Sequence, residues 1–140
     1  MIRIMLSDRR FSLDKRRLKS LARAVMENET ASGKDLNVIY CTDNLIKDLN
    51  SRYLNKNRTT DVLAFELEDR NDDGHLLGEI YVNLQQARRQ SLENKINYNE
   101  EVRRLTVHGI LHLLGYDDRG TASRKKMWNR QESYLSKWKK

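Results

Sequence analysis

Two of the three histidines, His108 and His112, stand four residues apart in the string LTVHGILHLLGYDD. Four residues is about one helical turn, so on a helix both imidazoles share a side and can reach one ion. Leu105 to Leu114 is apolar nearly all round, the pattern of a helix buried on most sides. Two imidazoles buried there need partners, and a metal ion satisfies both at once. Gly115 follows His112 by three residues and lets the backbone turn, and Asp118 follows by three more, where a carboxylate can fold back as a third donor. Two nitrogens and one oxygen, with a fourth position left to water, make the catalytic type of zinc site, because structural sites are closed by four protein ligands. Ligand type alone also admits nickel, cobalt or manganese. A bare pair of histidines at this spacing reads more readily as core side chains bonded to carbonyls. The buried helix, the glycine and the spaced acid reverse that balance.

The remaining residues narrow the chemistry. A zinc peptidase carries Glu directly after its first histidine as general base, and here that position is Gly109. A zinc deaminase needs a Cys-x-x-Cys pair, and Cys41 is the one cysteine of the chain. What remains is a Lewis-acidic metal beside a basic surface, aimed at a phosphodiester.

That basic surface is visible in the charge pattern. The net charge of +7 is matched by the stretch after Asp118, which holds eight basic residues (Arg119, Arg124, Lys125, Lys126, Arg130, Lys137, Lys139 and Lys140) and one acid, Glu132. Met1–Arg23 is a second basic stretch, and Asp61–Glu79 is acidic. A polyanion is drawn to both basic ends, although a merely solubilising helix face fits the same charge.

The elements that must position these groups follow from periodicity. One domain over residues 1–140 is expected from the 140-residue length, with no repeat or linker to divide it. MIRIML reads as a strand, Leu13–Glu29 as an amphipathic helix capped by Ser12, and Leu36–Tyr40 as a strand. Thr42 then caps a helix holding Leu45, Ile46 and Leu49. Asp61–Leu67 and Leu77–Val82 read as strands joined by a hairpin loop over Glu68–Gly74. Leu84–Glu93, a segment from an Asn99 cap to Leu114, and Thr121–Lys137 read as helices, with Gly115 ending the second. The order predicts an α+β fold, a small mixed sheet flanked by helices. No apolar run approaches a membrane span, the N-terminus lacks a secretory signal, and a lone cysteine excludes a disulfide framework, which together predict a soluble cytoplasmic protein without a membrane partner.

The stretch His108-Gly-Ile-Leu-His-Leu-Leu-Gly-Tyr-Asp-Asp118 resembles the signature of the YbeY family of single-strand-specific endoribonucleases, whose usual string is His-Gly-x-Leu-His-Leu-x-Gly-Tyr-Asp-His. Leu49-Asn50 followed by Thr60-Asp-Val-Leu-Ala-Phe65, then Leu77-Gly-Glu-Ile80, Glu101 and Leu105-x-Val107, match further family segments in order and spacing. The resemblance implies a zincin-like metal-binding helix and one Zn2+ per chain at His108, His112 and Asp118. It also implies single-stranded RNA, in particular rRNA precursor, as substrate, the ribosome or its small subunit as partner, and roles in rRNA maturation and ribosome quality control.

Three positions depart from the family. Asp118 stands where the third ligand is usually His, which leaves the site one unit less positive. Leu54 stands where the family has an arginine thought to matter for cleavage, with Arg52 and Arg58 nearby, and Thr59 replaces a proline. Leu54 favours a rival reading, a ribosome-associated RNA-binding protein whose metal is structural. A metal-dependent hydrolase of some small substrate is a second rival.

For RNA contacts the candidates are Arg104, one turn before His108, and Arg119, Arg124 and Lys125 at the start of the last helix. Arg104 reads equally as an ion-pair partner of Glu100. Glu101 reads as a buried salt bridge or a helix N-terminal charge, Asp117 as a turn residue, an acceptor behind the ligands or a general base, and His75 as a solvated loop residue. Trp128 and Trp138 suit base stacking, but Trp128 reads better as a packed residue.

Overall fold

The computed structural model describes residues 1–66 and 76–137. Among the described residues lie β1 (Ile2–Leu6), α1 (Lys15–Asn28), β2 (Asp35–Cys41), α2 (Asp43–Leu54), β3 (Val62–Glu66), β4 (Leu76–Asn83), α3 (Leu84–Asn94), α4 (Tyr98–Leu113) and α5 (Thr121–Ser136). The element order is the one the periodicity predicts. The hairpin loop expected over Glu68–Gly74, together with His75 and Trp138, lies outside the described residues.

The strands form one mixed sheet in the order β1-β2-β4-β3, with β1–β2 and β2–β4 parallel and β3–β4 antiparallel. Alternation along β2 and β4 sends Leu36, Val38, Tyr40, Ile80 and Val82 to one face, where they are fully buried in the main core. α1 supplies Leu18, Leu21, Ala22 and Val25 to that core, the stripe expected from its sequence. α3, α4 and α5 complete it with Leu84, Ile110, Leu111, Met127 and Leu135. On the opposite face a smaller cluster gathers Cys41, Ile46 and Leu63, with Leu45 and Leu49 of α2 packed against it. The Cys41 thiol donates to the Val82 carbonyl at 3.6 Å. Burial, and then the nearby Asp43 charge, push its pKa up to about 12.

Helix starts differ from expectation by two residues in two places. Asp14, not Ser12, caps α1 by accepting the Arg17 N–H at 3.1 Å. Asn97, not Asn99, caps α4, accepting the N–H groups of Asn99 and Glu100 at 2.8 and 3.3 Å. Thr42 occupies the cap position of α2 as expected, but its side chain makes no capping bond, and the amide oxygen of Gln85 accepts the Asp43 N–H at 2.9 Å instead.

Two contacts fix α4 on the sheet. The Tyr40 hydroxyl lies 2.7 Å from that of Thr106, which donates to the Val102 carbonyl at 2.8 Å, so a buried polar chain ties β2 to the middle of α4. One turn further on, Gly109 lies flat against the strands: a Cβ there would stand 2.6 Å from Ile80 Cγ2 and 3.2 Å from Val62 Cγ2. The position that carries the general base of a zinc peptidase therefore faces β3 and β4, with no room for a glutamate.

Candidate active site

α4 ends in a Schellman turn. The Tyr116 N–H bonds the Leu111 carbonyl at 3.0 Å and the Gly115 N–H bonds that of His112 at 3.1 Å, with Gly115 at φ +99°, a conformation that suits glycine. Tyr116 then anchors the outgoing chain by donating to Glu29 at 2.6 Å. Glu29 also accepts from Tyr134 of α5 and from Arg130 at 2.7 Å. Burial raises the Glu29 pKa, but the three donors outweigh it and hold the carboxyl below its ordinary value.

His108 and His112 lie one turn apart on α4, as the spacing predicts, but neither is deeply buried. His108 is half-buried and His112 is exposed. α4 is apolar in the direction of the sheet and α1, while the histidine side opens to solvent, so the expected cost of burying both rings does not arise. The Nδ1 of His108 bonds the amide oxygen of Gln131 on α5 at 2.9 Å, and Gln131 donates in turn to Glu132 at 3.1 Å. That bond fixes the ring and leaves Nε2 as its remaining nitrogen, the arrangement common behind metal-ligating histidines. The side chains of His112 and Asp118 are bonded to no described residue, and Asp118 is exposed. Among the described residues no group of three His, Cys, Asp or Glu side chains is placed to hold a metal ion, so Asp118 is not gathered onto the histidine pair. Asp117 accepts the Arg119 N–H at 2.6 Å, the turn role among its readings. In donor type the set of two imidazoles and a carboxylate fits a divalent transition metal.

His108 lines a cleft of about 530 Å³ with Asp61, Gln90, Asn94, Glu101, Arg104, Trp128 and Gln131 among its walls. Arg104 is held by carboxylates: it meets Glu132 through two bonds of 3.0 and 2.9 Å, Glu101 at 3.1 Å and Glu100 at 3.6 Å. Glu132, then Glu101, raise its pKa against the opposing effect of burial. The ion-pair reading of Arg104 is the one the structure holds, with Glu101 and Glu132 closer than the expected Glu100. Glu101, with 5% of its side chain exposed, is the buried salt-bridge partner its position suggested. Gln90 donates to its second oxygen at 2.8 Å.

The remaining basic candidates separate. Arg119, Arg124 and Lys125 are exposed. Arg124 lies one turn before Trp128 on the same side of α5, whereas Lys125 lines a shallow groove with Tyr116, Asn129 and Arg130. Leu54 is 44% exposed. Of the two arginines near it in sequence, Arg52 pairs with Asp48 at 3.1 Å and Arg58 is bonded to no described residue through its side chain.

Three cleft residues were missed or misread in the sequence. Asp61 and Gln131 reach His108's surroundings from other elements, and a signal for Asp61 existed in the Thr60-Asp-Val-Leu string. Its loop is held by Asn83, whose amide donates to Asp43, Thr59 and the Thr60 carbonyl at 2.7, 2.9 and 3.0 Å. Trp128 is corrected outright: it is 55% exposed, not packed.

Comparison with known proteins bears on the same residues. The family model described as Endoribonuclease YbeY matches residues 3–139. An Endoribonuclease YbeY of Acholeplasma laidlawii is 39% identical over 104 residues, 74% of each chain. That of Karelsulcia muelleri is 34% identical over 111 residues, covering 79% of this chain and 77% of its own. The solution structure of TM1509 from Thermotoga maritima superposes with a TM-score of 0.68 at 28% identity, covering 99% of this chain and 92% of that one.

Proposed function

The chain belongs to the endoribonuclease YbeY family, and from that premise we propose that it is a metal-dependent, single-strand-specific endoribonuclease acting on rRNA precursor. The observation that carries this reading is His108, oriented by Gln131 at 2.9 Å in a cleft open to solvent, one turn from the unbonded imidazole of His112. His108, His112 and Asp118 would hold the metal, Zn2+ by donor type, with other divalent transition metals accepted by the same atoms. When bound, the metal supplies Lewis acidity at a phosphodiester and a lowered pKa for water.

The protein's own groups do the rest. Gln131 holds the His108 ring in one orientation and one tautomer. The Schellman turn at Gly115 redirects the chain that carries Asp118, and the Tyr116–Glu29 bond tethers it just before that residue. Asp61 and Glu101 in the cleft are carboxylates, and Arg104 neutralises Glu101, which leaves Asp61 as the acidic group available to accept a proton. The exposed cations at Arg119, Arg124 and Lys125 draw the backbone of the strand. The ribosome or its small subunit is the partner this substrate implies, in the cytoplasm. No described helix is long and apolar enough to cross a membrane.

The test is cleavage of a labelled single-stranded RNA and its duplex by protein stripped with chelator and then reloaded with Zn2+. Loss and recovery of cleavage on the single strand is the expected result. Equal cleavage with and without chelator overturns metal dependence. The exposed Leu54, apolar where the family carries arginine, favours the rival reading of an RNA-binding protein with a structural metal; that reading wins if the reloaded protein binds RNA and leaves it intact.

A further inference from the structure

An exposed tryptophan on a basic helix, lining the same cleft as the proposed metal-ligating His108, calls for an explanation. Trp128 is 55% exposed, while its helix neighbours Met127 and Gln131 are about 2% exposed, so the helix packs firmly and leaves this one ring in water. It shares the cleft with His108 and Gln131. Arg124 lies one turn earlier on the same side of α5, exposed, with its side chain bonded to no described residue. Asn94 lines the same cleft, exposed, with its side chain likewise bonded to no described residue. A flat aromatic face, a cation one turn away and an uncommitted amide are the components with which proteins hold unstacked nucleotides.

We propose that Trp128 is a stacking platform for a base of single-stranded RNA beside His108, with Arg124 taking the neighbouring phosphate. The proposal rests on the endoribonuclease reading for its substrate class and goes beyond it by assigning a binding residue. A duplex keeps its bases stacked on one another and cannot offer a face to the indole, so this platform contributes to preference for single strands.

Affinity for a fluorescein-labelled ten-nucleotide RNA, measured with chelator present to prevent turnover, tests it in wild type, Trp128→Ala and Trp128→Phe. Trp128→Ala should weaken binding roughly five- to a hundred-fold, the range for one lost base stack, and Trp128→Phe should restore most of it. An abasic residue walked along the RNA should abolish the Trp128→Ala penalty at one position and leave it elsewhere. Affinity of Trp128→Ala within twofold of wild type, or a penalty unchanged at every abasic position, overturns the proposal. The two readings fail separately. Trp128-dependent binding without cleavage overturns the nuclease reading and supports the stacking site, whereas cleavage with undiminished affinity in Trp128→Ala does the reverse. A wild type that binds no single-stranded RNA overturns both.

Discussion

Near its start α4 presents Glu101 and Arg104 to each other and to Glu132 of α5, with every charged head bonded and 5% and 16% of the first two side chains exposed. At its end His112 is exposed and Asp118 lies in the outgoing chain, and neither side chain is bonded to a described residue. Glu101 and His112 are about three turns apart on one helix. The first behaves as scaffold: its groups are satisfied internally, and removing Arg104 leaves two partly buried carboxylates without their cation. The second behaves as a receptor, because a donor facing water gives up no internal bond when a ligand arrives. His108 sits between them, one ring nitrogen committed to the scaffold through Gln131 and the other left open. The geometry thus divides stability from binding along a single element, and that division can be attacked from both ends.

The largest effect is expected at the open end. His112→Ala should reduce RNA cleavage on the order of a thousandfold or more, about 4 kcal/mol in barrier, while thermal melting stays within about 2 °C because the residue is exposed. A large fall in melting temperature would show that His112 carries structure after all. Next comes the bonded end, where Arg104→Ala leaves Glu101 and Glu132 facing each other and should cost about 3–5 kcal/mol in urea denaturation. Unchanged stability would mean that the network is decorative.

Asp118→Ala should lower metal affinity by roughly ten- to a hundredfold, while Asp118→His keeps or raises it. Metal titration of the two variants decides whether this side chain, apart from the histidines in the structure, joins them on binding. The smallest effect concerns the tether of the outgoing chain. Glu29 has a carboxyl held below its ordinary value of 4.5, so its contribution is complete above that pH and is lost as pH falls through the depressed value. Stability measured between neutral and acid pH should therefore decline below about 4.5, and Glu29→Gln should flatten that part of the curve.

The fold was largely legible because apolar periodicity encodes burial directly: the stripe on α1 and the alternation of β2 are both found in the core. Boundaries were less so. Ser12 and Asp14, or Asn97 and Asn99, are each pairs of competent caps two residues apart, and only the local backbone conformation decides between them. The histidine pair was legible from spacing within one helix. Gln131 and Trp128 were not, and Asp61 only as part of the Thr60-Asp-Val-Leu string, because each reaches the cleft from another element and only the packing of α5 and the β3 approach against α4 brings them there. Trp128 was misread for a further reason: its size suggests burial, and α5 has too weak an apolar stripe to show which side of it meets the core.

The buried thiol at the end of β2 has a use of its own. With its pKa pushed up to about 12 and 0% of its surface exposed, Cys41 is inert to alkylating reagents while the sheet stays closed. It is also the chain's one cysteine. Every labelling event therefore reports an excursion in which the α2 side of the sheet has parted, and the labelling rate at fixed pH becomes a clock for that opening. The molecule carries its own kinetic reporter on the face opposite the histidines, so breathing of the scaffold can be timed without touching a single residue of the cleft.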